Sequence, residues 1–241
     1  MGFDPFVHAM SLEGEPHAPP LVIFDHFGDG WGFEQGDADN TGKFSETANL
    51  GQWLVTVTDG STGNADVIVV SDAEPGGVLT ITSNAADNDS MELQMNGEAF
   101  AVNARNDMWF SIRMKLSDAD TCDWFVGLAT TDTAVIDGTN DSIGFRNASN
   151  SADIRYIQED DTNETTADTT YDFADDTFRT LSFHTRKDQG TAFFVDGNLI
   201  EFTGSNIPDA GAALTPTICL QNASAAASSL EVDFIYARMD I

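Results

Sequence analysis

Basic residues are nearly missing from this chain. Ten Lys and Arg stand against forty Asp and Glu, a formal net charge of -30, and the first basic side chain is Lys43. A surface this acidic repels phosphate, which argues against nucleic acid and anionic membranes as partners. It suits salty water, where self-repulsion is screened. Cysteine is scarce too: Cys122 and Cys219 are the two, and buried thiols are expected rather than a disulfide. No apolar run is long enough to cross a bilayer. The N-terminus shows no basic segment followed by an apolar core, so synthesis in the cytoplasm without a secretory leader is expected. No window keeps a 3.6-residue apolar period over three turns, which excludes a helical bundle. There is no fixed-period repeat and no phosphate-binding glycine loop. Gly60-Ser61-Thr62-Gly63 is a turn without the strand–elbow–helix context of a serine nucleophile.

What is present is short alternating segments between Gly, Asp and Asn turns. The clearest run is 178–202. Leu181, Phe183 and Thr185 alternate with Thr180, Ser182, His184 and Arg186, the period of a half-buried strand. Thr191 to Val195 and Leu199 to Phe202 continue the meander. Asp196-Gly197 between them suits a type I′ hairpin, which needs positive φ at both central residues. Met108 to Leu116 sets Trp109, Ser111, Arg113 and Lys115 opposite Met108, Phe110, Ile112, Met114 and Leu116. Other strands are expected at Leu21–Phe24, Trp53–Thr58, Val67–Val70, Val78–Thr82, Met91–Met95, Phe100–Val102, Asp123–Ala129, Ser142–Arg146, Ile154–Ile157, Thr217–Gln221 and Leu230–Met239. Gln158 to Thr170 reads as a polar loop, and Ala223 to Ser229 as a helical turn at most. Along the last strand, Leu230, Val232, Phe234 and Tyr236 are expected inward, with Glu231 and Asp233 outward.

Many short strands with turn signals predict an all-β, antiparallel two-sheet sandwich over residues 21–241. Seventeen Phe can fill its core. Residues 1–20 hold four of the seven prolines, Pro5, Pro16, Pro19 and Pro20, which forbid regular sheet or helix. They are expected to form an extended arm seated on a neighbour.

The histidines, His8, His17, His26 and His184, show no metal-ligand spacing. His184 is expected as a surface residue. Asp37-Ala38-Asp39-Asn40-Thr41-Gly42 begins like a calcium loop, but position 12 is Ala48 where a bidentate Glu is needed; an Asp/Gly turn is the expectation. Trp31, Trp53, Trp109 and Trp124 are candidates for stacking on sugar rings, with core packing expected for most.

The order of the second half resembles the concanavalin A-like lectin/glucanase jelly roll, which includes laminarinase-like and laminin-G-like domains. The residues that carry the likeness are Phe125-Val126-Gly127-Leu128, then Ile143-Gly144-Phe145, then Phe194-Val195-Asp196-Gly197. Pro216 before an apolar strand and the closing Val232-Asp233-Phe234-Ile235-Tyr236 complete it. The glucanase branch of that family works with two carboxylates in E-x-D-x-x-E, about 5–5.5 Å apart for retaining chemistry. One literal match exists, Glu159-Asp160-Asp161-Thr162-Asn163-Glu164, in a context that reads as a solvated acidic loop. Glu231-Val232-Asp233-Phe234-Ile235-Tyr236 is a near match with Tyr in place of the last Glu. The resemblance implies that an Asp at position 233 sometimes binds a structural calcium; the plain reading is an outward carboxylate. The acidic Asp/Thr/Ala texture and the N-terminal arm also resemble virion structural proteins of tailed phages of marine bacteria.

The resulting expectation is a non-enzymatic structural component of a phage virion, a capsid decoration or other exterior protein made in the host cytoplasm. Its partners would be the major capsid protein or other virion proteins, with homo-oligomers expected. No residue is assigned a catalytic, cofactor-binding or metal-binding role. The alternatives are a lectin-like module that binds a glycan and a glucanase-like hydrolase using Glu159 and Glu164.

Overall fold

The computed structural model describes residues 21–25, 43–44, 48–50, 52–58, 66–71, 77–102, 106–136, 141–148, 151–161, 163–186 and 189–240. The arm at 1–20, the Asp37/Asp39 loop, Trp31, His8, His17 and His26 lie outside them.

Among the described residues there are eighteen strands and no helix. In chain order they are β1 (Leu21–Asp25), β2 (Lys43–Phe44), β3 (Ala48–Leu50), β4 (Trp53–Thr58), β5 (Asp66–Ser71) and β6 (Val78–Thr82). Next come β7 (Ser90–Met95), β8 (Phe100–Ala101), β9 (Asp107–Leu116), β10 (Cys122–Ala129), β11 (Ser142–Asn147) and β12 (Asp153–Asp160). The last six are β13 (Asn163–Asp172), β14 (Arg179–Arg186), β15 (Gly190–Val195), β16 (Asn198–Thr203), β17 (Ala213–Asn222) and β18 (Ser229–Met239).

They form two antiparallel sheets. Sheet A runs β16-β15-β14-β9-β18-β6-β5-β2, with β1 also on β18. Sheet B runs β13-β12-β11-β10-β17-β7-β4-β3, with β8 on β17. The architecture is an all-β jelly-roll sandwich. Its core lies between the sheets, where alternate residues of each strand point inward. Phe110, Phe183 and Phe193 from sheet A meet Phe145 and Tyr156 from sheet B.

The meander forms as its alternation predicts: Leu181, Phe183 and Thr185 are buried, and Asp196 and Gly197 have φ of 49° and 78°. The two mirror-image conformations match the twist of the flanking strands. Pro216 sits inside β17 rather than ahead of it. It lies between Leu214, which pairs with β8, and Thr217, which pairs with β7, while its other side faces Leu128 of β10. Proline survives there because that stretch pairs with neither β7 nor β8.

Three expectations need correction. Segment 158–170 is a hairpin rather than a loop: β12 and β13 pair from Asp153↔Asp172 to Asp160↔Asn163. Its threonines favour extended backbone, and Arg155 pairs with Asp168 at 2.9 Å. The alternation is hidden because β13 is an edge strand with polar residues on both faces. Segment 223–229 holds no helical turn. Along β18 the register shifts between Val232 and Phe234. Leu230 and Val232 point inward as expected, but beyond the bulge Ile235, Ala237 and Met239 are the buried residues. Phe234, Tyr236 and Arg238 therefore turn to the outer face of sheet A.

Neither cysteine is in a disulfide, and both are buried. Burial, then the charges of Asp123, Asp118 and Asp175, pushes the Cys122 thiol up to about 12. A thiol that does not ionise is a poor nucleophile. Neither cysteine should react with Ellman's reagent in the native protein, and both should react in denaturant; a fast-reacting thiol in the native state would contradict the packing.

Candidate functional site

Two surfaces are available, the outer faces of the two sheets. On sheet A, residues directly opposite in neighbouring strands share a face. One row reads Val22, Arg238, Trp109, His184, Ala192, Phe202, and the next reads Tyr236, Ser111, Ser182, Phe194, Leu199. His184 stacks on Trp109 with ring centres 4.5 Å apart and planes within 8°. Arg238 lies 5.0 Å from the Trp109 ring centre. The register puts Trp109 between these two, so both ring faces are taken. Trp53 and Trp124 are core residues. None of the three described tryptophans offers an open face to a sugar. His184 is half-buried rather than a free surface residue.

Cations gather on this face, each beside a carboxylate. Arg113 pairs with Asp233, Lys115 with Glu231 at 3.1 Å, Arg186 with Asp107 at 3.2 Å and Arg238 with Asp240 at 2.7 Å. Arg113 and Lys115 also lie over Phe178, at 4.2 and 5.1 Å from its centre. Asp233 is thus an outward carboxylate engaged by Arg113. Among the described residues no cluster of three His, Cys, Asp or Glu side chains is arranged to hold a metal ion.

Burial lowers the pKa of His184. The Asp107 carboxylate 3.5 Å away opposes this, and Arg186 reinforces it. A histidine whose folded pKa lies below its unfolded value stabilises the fold in its neutral form, and that contribution is lost as pH falls below about 6.5. His184→Phe, which keeps the stack but cannot protonate, should show a smaller fall in Tm than the parent between about pH 7 and pH 5. Equal falls would mean that His184 does not titrate differently on unfolding.

The outer face of sheet B is partly roofed. One row across it reads Asp168, Arg155, Arg146, Phe125, Cys219, Glu92, Thr56. Segment 130–136 crosses β7 and β17, pinned by side chains from β7 and its following turn. The backbone N–H of Asp132 donates to Gln94 Oε1 at 3.0 Å, that of Val135 to Glu92 Oε1 at 2.9 Å and that of Thr131 to Glu98 Oε1 at 2.7 Å. Val135 and Ile136 pack with Phe125, Ala129, Ile157 and Cys219 in a second apolar cluster. Beside it is a cleft of about 70 Å³ lined by Thr58, Ser90, Glu92, Thr133, Cys219 and Gln221, with no aromatic side chain. Sequence reasoning did not find this roof, because the Thr/Asp/Ala stretch that forms it carries no periodicity.

The E-x-D-x-x-E match does not lie on one strand. The chain turns inside it, with Asp161 at φ 50° in the bend. Glu159 and Glu164 face each other across β12 and β13. Glu164 is held by Arg146 at 2.6 Å, and Glu159 is 6% exposed. The middle carboxylate belongs to a turn instead of sharing a strand face with the two Glu residues.

No family model matches the chain, and no curated protein matches its sequence. Solved structures do. A protein of unknown function from Shewanella oneidensis MR-1 has a TM-score of 0.54 at 17% identity, over 78% of this chain and 79% of that one. The carbohydrate recognition domain of Emp47p gives 0.55 at 13% identity, over 83% and 92%. A native glycosidic hydrolase gives 0.52 at 15% identity, over 90% and 94%. At such identities the likeness is one of fold: this chain is a two-sheet jelly roll with the architecture of lectin-like carbohydrate recognition domains.

Proposed function

We propose that this chain is a non-enzymatic structural component of a tailed-phage virion, an exterior or decoration protein attached to its shell neighbours. The observation that carries the reading is the outer face of sheet A. There, exposed apolar side chains border half-buried aromatics and paired charges, the make-up of a protein contact surface. The acidic remainder keeps the particle surface hydrated and soluble. The arm at residues 1–20 adds contacts to the neighbouring shell subunit. The near-burial of Glu159 and the Arg146 ion pair on Glu164 favour a structural role for these two carboxylates over a hydrolytic one. Incubation with laminarin is expected to release no reducing sugar; turnover that disappears in Glu159→Gln would overturn the non-enzymatic reading.

The test is copurification of the protein with intact particles. Deletion of residues 1–20 should abolish particle association and leave the circular dichroism of the sandwich unchanged. A deletion variant that still decorates particles removes the arm from the reading, and a protein absent from purified particles removes the virion role.

A second reading is a glycan-binding module. It is favoured by the fold shared with the Emp47p carbohydrate recognition domain. It is opposed by the aromatic-free cleft on sheet B and the enclosed Trp109. A glycan array separates the two: no hits are expected, and a hit competed by free sugar would favour the lectin reading.

A further inference from the structure

We infer that the outer face of sheet A is where two copies of this chain meet, packed face to face. The inference rests on reading that face as a protein contact surface and names its partner. Three observations select a second copy.

The first is where apolar surface is left open. Among the described residues the exposed large hydrophobic side chains are Val22, Leu199 and Phe202, at 49%, 60% and 56% exposure. All three stand on this one face. Val22 and Phe202 end the same cross-strand row, and Leu199 ends the adjacent one. Between them the rows run through Trp109, His184, Phe194 and Tyr236. Among the described residues the exposed large apolar side chains thus fall on one face, two together on β16 and one on β1, as at a contact site.

The second is charge. Two chains of net charge -30 repel each other in most orientations. On the β9, β14 and β18 part of sheet A, Arg113, Lys115, Arg186 and Arg238 are each matched by a carboxylate of the same face. A two-fold contact sets a patch against itself, so it needs a surface that is self-complementary in charge. A locally balanced face meets that need. A basic face would call for an acidic partner, and an acidic face for a basic one.

The third is the form of the edge. β16 ends sheet A, and an exposed edge strand could pair with another chain through its backbone. Here the edge is blunted. The register slips between Phe193 and Phe194, and the Glu201 carboxylate accepts the backbone N–H of Phe202 at 2.8 Å. Bulges and charges of this kind oppose strand addition. Leu199 and Phe202 remain available from the face and not from the edge, which makes the contact a stacking of sheets.

The contact has a distinctive salt response. Its ion pairs lie within each chain, while repulsion between the acidic remainders opposes association. Added NaCl screens that repulsion, so dimerisation strengthens with salt; an interface held by ion pairs between chains would weaken.

The test is sedimentation equilibrium of the full chain at low and high NaCl, beside Leu199→Glu/Phe202→Glu. The parent dimerises, more tightly at high salt. The double variant keeps the parent's circular dichroism and associates about a hundredfold more weakly. As a check free of new charges, Leu199→Cys carrying a spin label should show dipolar coupling between copies, since Cys122 and Cys219 are buried. A parent that stays monomeric at every salt concentration overturns the inference, as does a double variant that dimerises unchanged or a label at 199 without intermolecular coupling. The particle assay fails separately: a dimer that never joins particles sinks the virion role alone, and a monomer that decorates particles sinks the dimer alone.

Discussion

Phe193→Ala should lower the unfolding free energy by about 3–5 kcal/mol, a fall in Tm of roughly 6–20 °C for a chain of this size. Phe193 is fully buried on β15. Its ring centre lies 6.0 Å from Phe183 in its own sheet, 5.5 Å from Phe145 and 5.0 Å from Tyr156 in the other. It therefore joins the sheets at their aromatic centre, with the edge-on contact to Phe145 that such rings favour. Truncation removes the transfer free energy of the ring and leaves a cavity. Neighbours in regular strands cannot collapse into it without breaking register. Urea denaturation followed by tryptophan fluorescence measures the change, with Trp53 and Trp124 as buried reporters. A loss below about 1 kcal/mol would mean that the sheets close over the gap and that the centre is not tightly packed.

Gly127→Ala should cost about 3 kcal/mol or more, and Gly144→Ala about as much. Gly127 of β10 and Gly144 of β11 are direct partners on the outer face of sheet B. A Cβ on Gly127 would lie 2.3 Å from the Ile143 carbonyl oxygen, and one on Gly144 2.4 Å from that of Val126. In each case the obstacle is backbone of the partner strand, which cannot swing aside as a side chain can. The strands must separate, and separation disturbs the ladder that carries Phe125 and Ala129 under the 130–136 roof. Gly197→Ala gives a useful contrast. Its Cβ meets nothing within 4 Å, and its cost comes from its positive φ of 78°, about 1 kcal/mol. Thermal melts of the three variants should rank Gly127 and Gly144 well below Gly197. Equal, small shifts would mean that β10 and β11 have room to part.

These two positions also show how the sequence is to be read. Val126-Gly127-Leu128 and Ile143-Gly144-Phe145 are segments that carry the family resemblance, and their glycines have a packing reason. They allow close approach of two strands beneath a covered face. The resemblance to concanavalin A-like jelly rolls led to the right fold. The E-x-D-x-x-E match spans a hairpin whose turn falls inside it, so its residues are not those of one strand face.

Within the strands, local pattern was enough. Met108–Leu116 and Leu181–Thr185 alternate because successive side chains of a strand point to opposite sides, so burial is written directly into the order of residues. Asp196-Gly197 was legible for the same local reason, since positive φ at two successive residues leaves few choices. Tertiary structure alone decided the rest. The bulge at Val232/Phe234 depends on how β18 meets β9 and β6, and one extra residue moved Phe234, Tyr236 and Arg238 to the outside. Pairing across strands, with hundreds of possible registers, brought Trp109 against His184 and Arg113 against Asp233 from positions 75 and 120 residues apart. The proposed contact face is made of such pairings. The sequence by itself determined a sandwich with an acidic surface, because alternation and charge are local properties. Only the tertiary structure decided where that surface becomes neutral and apolar, because that depends on which strands lie side by side.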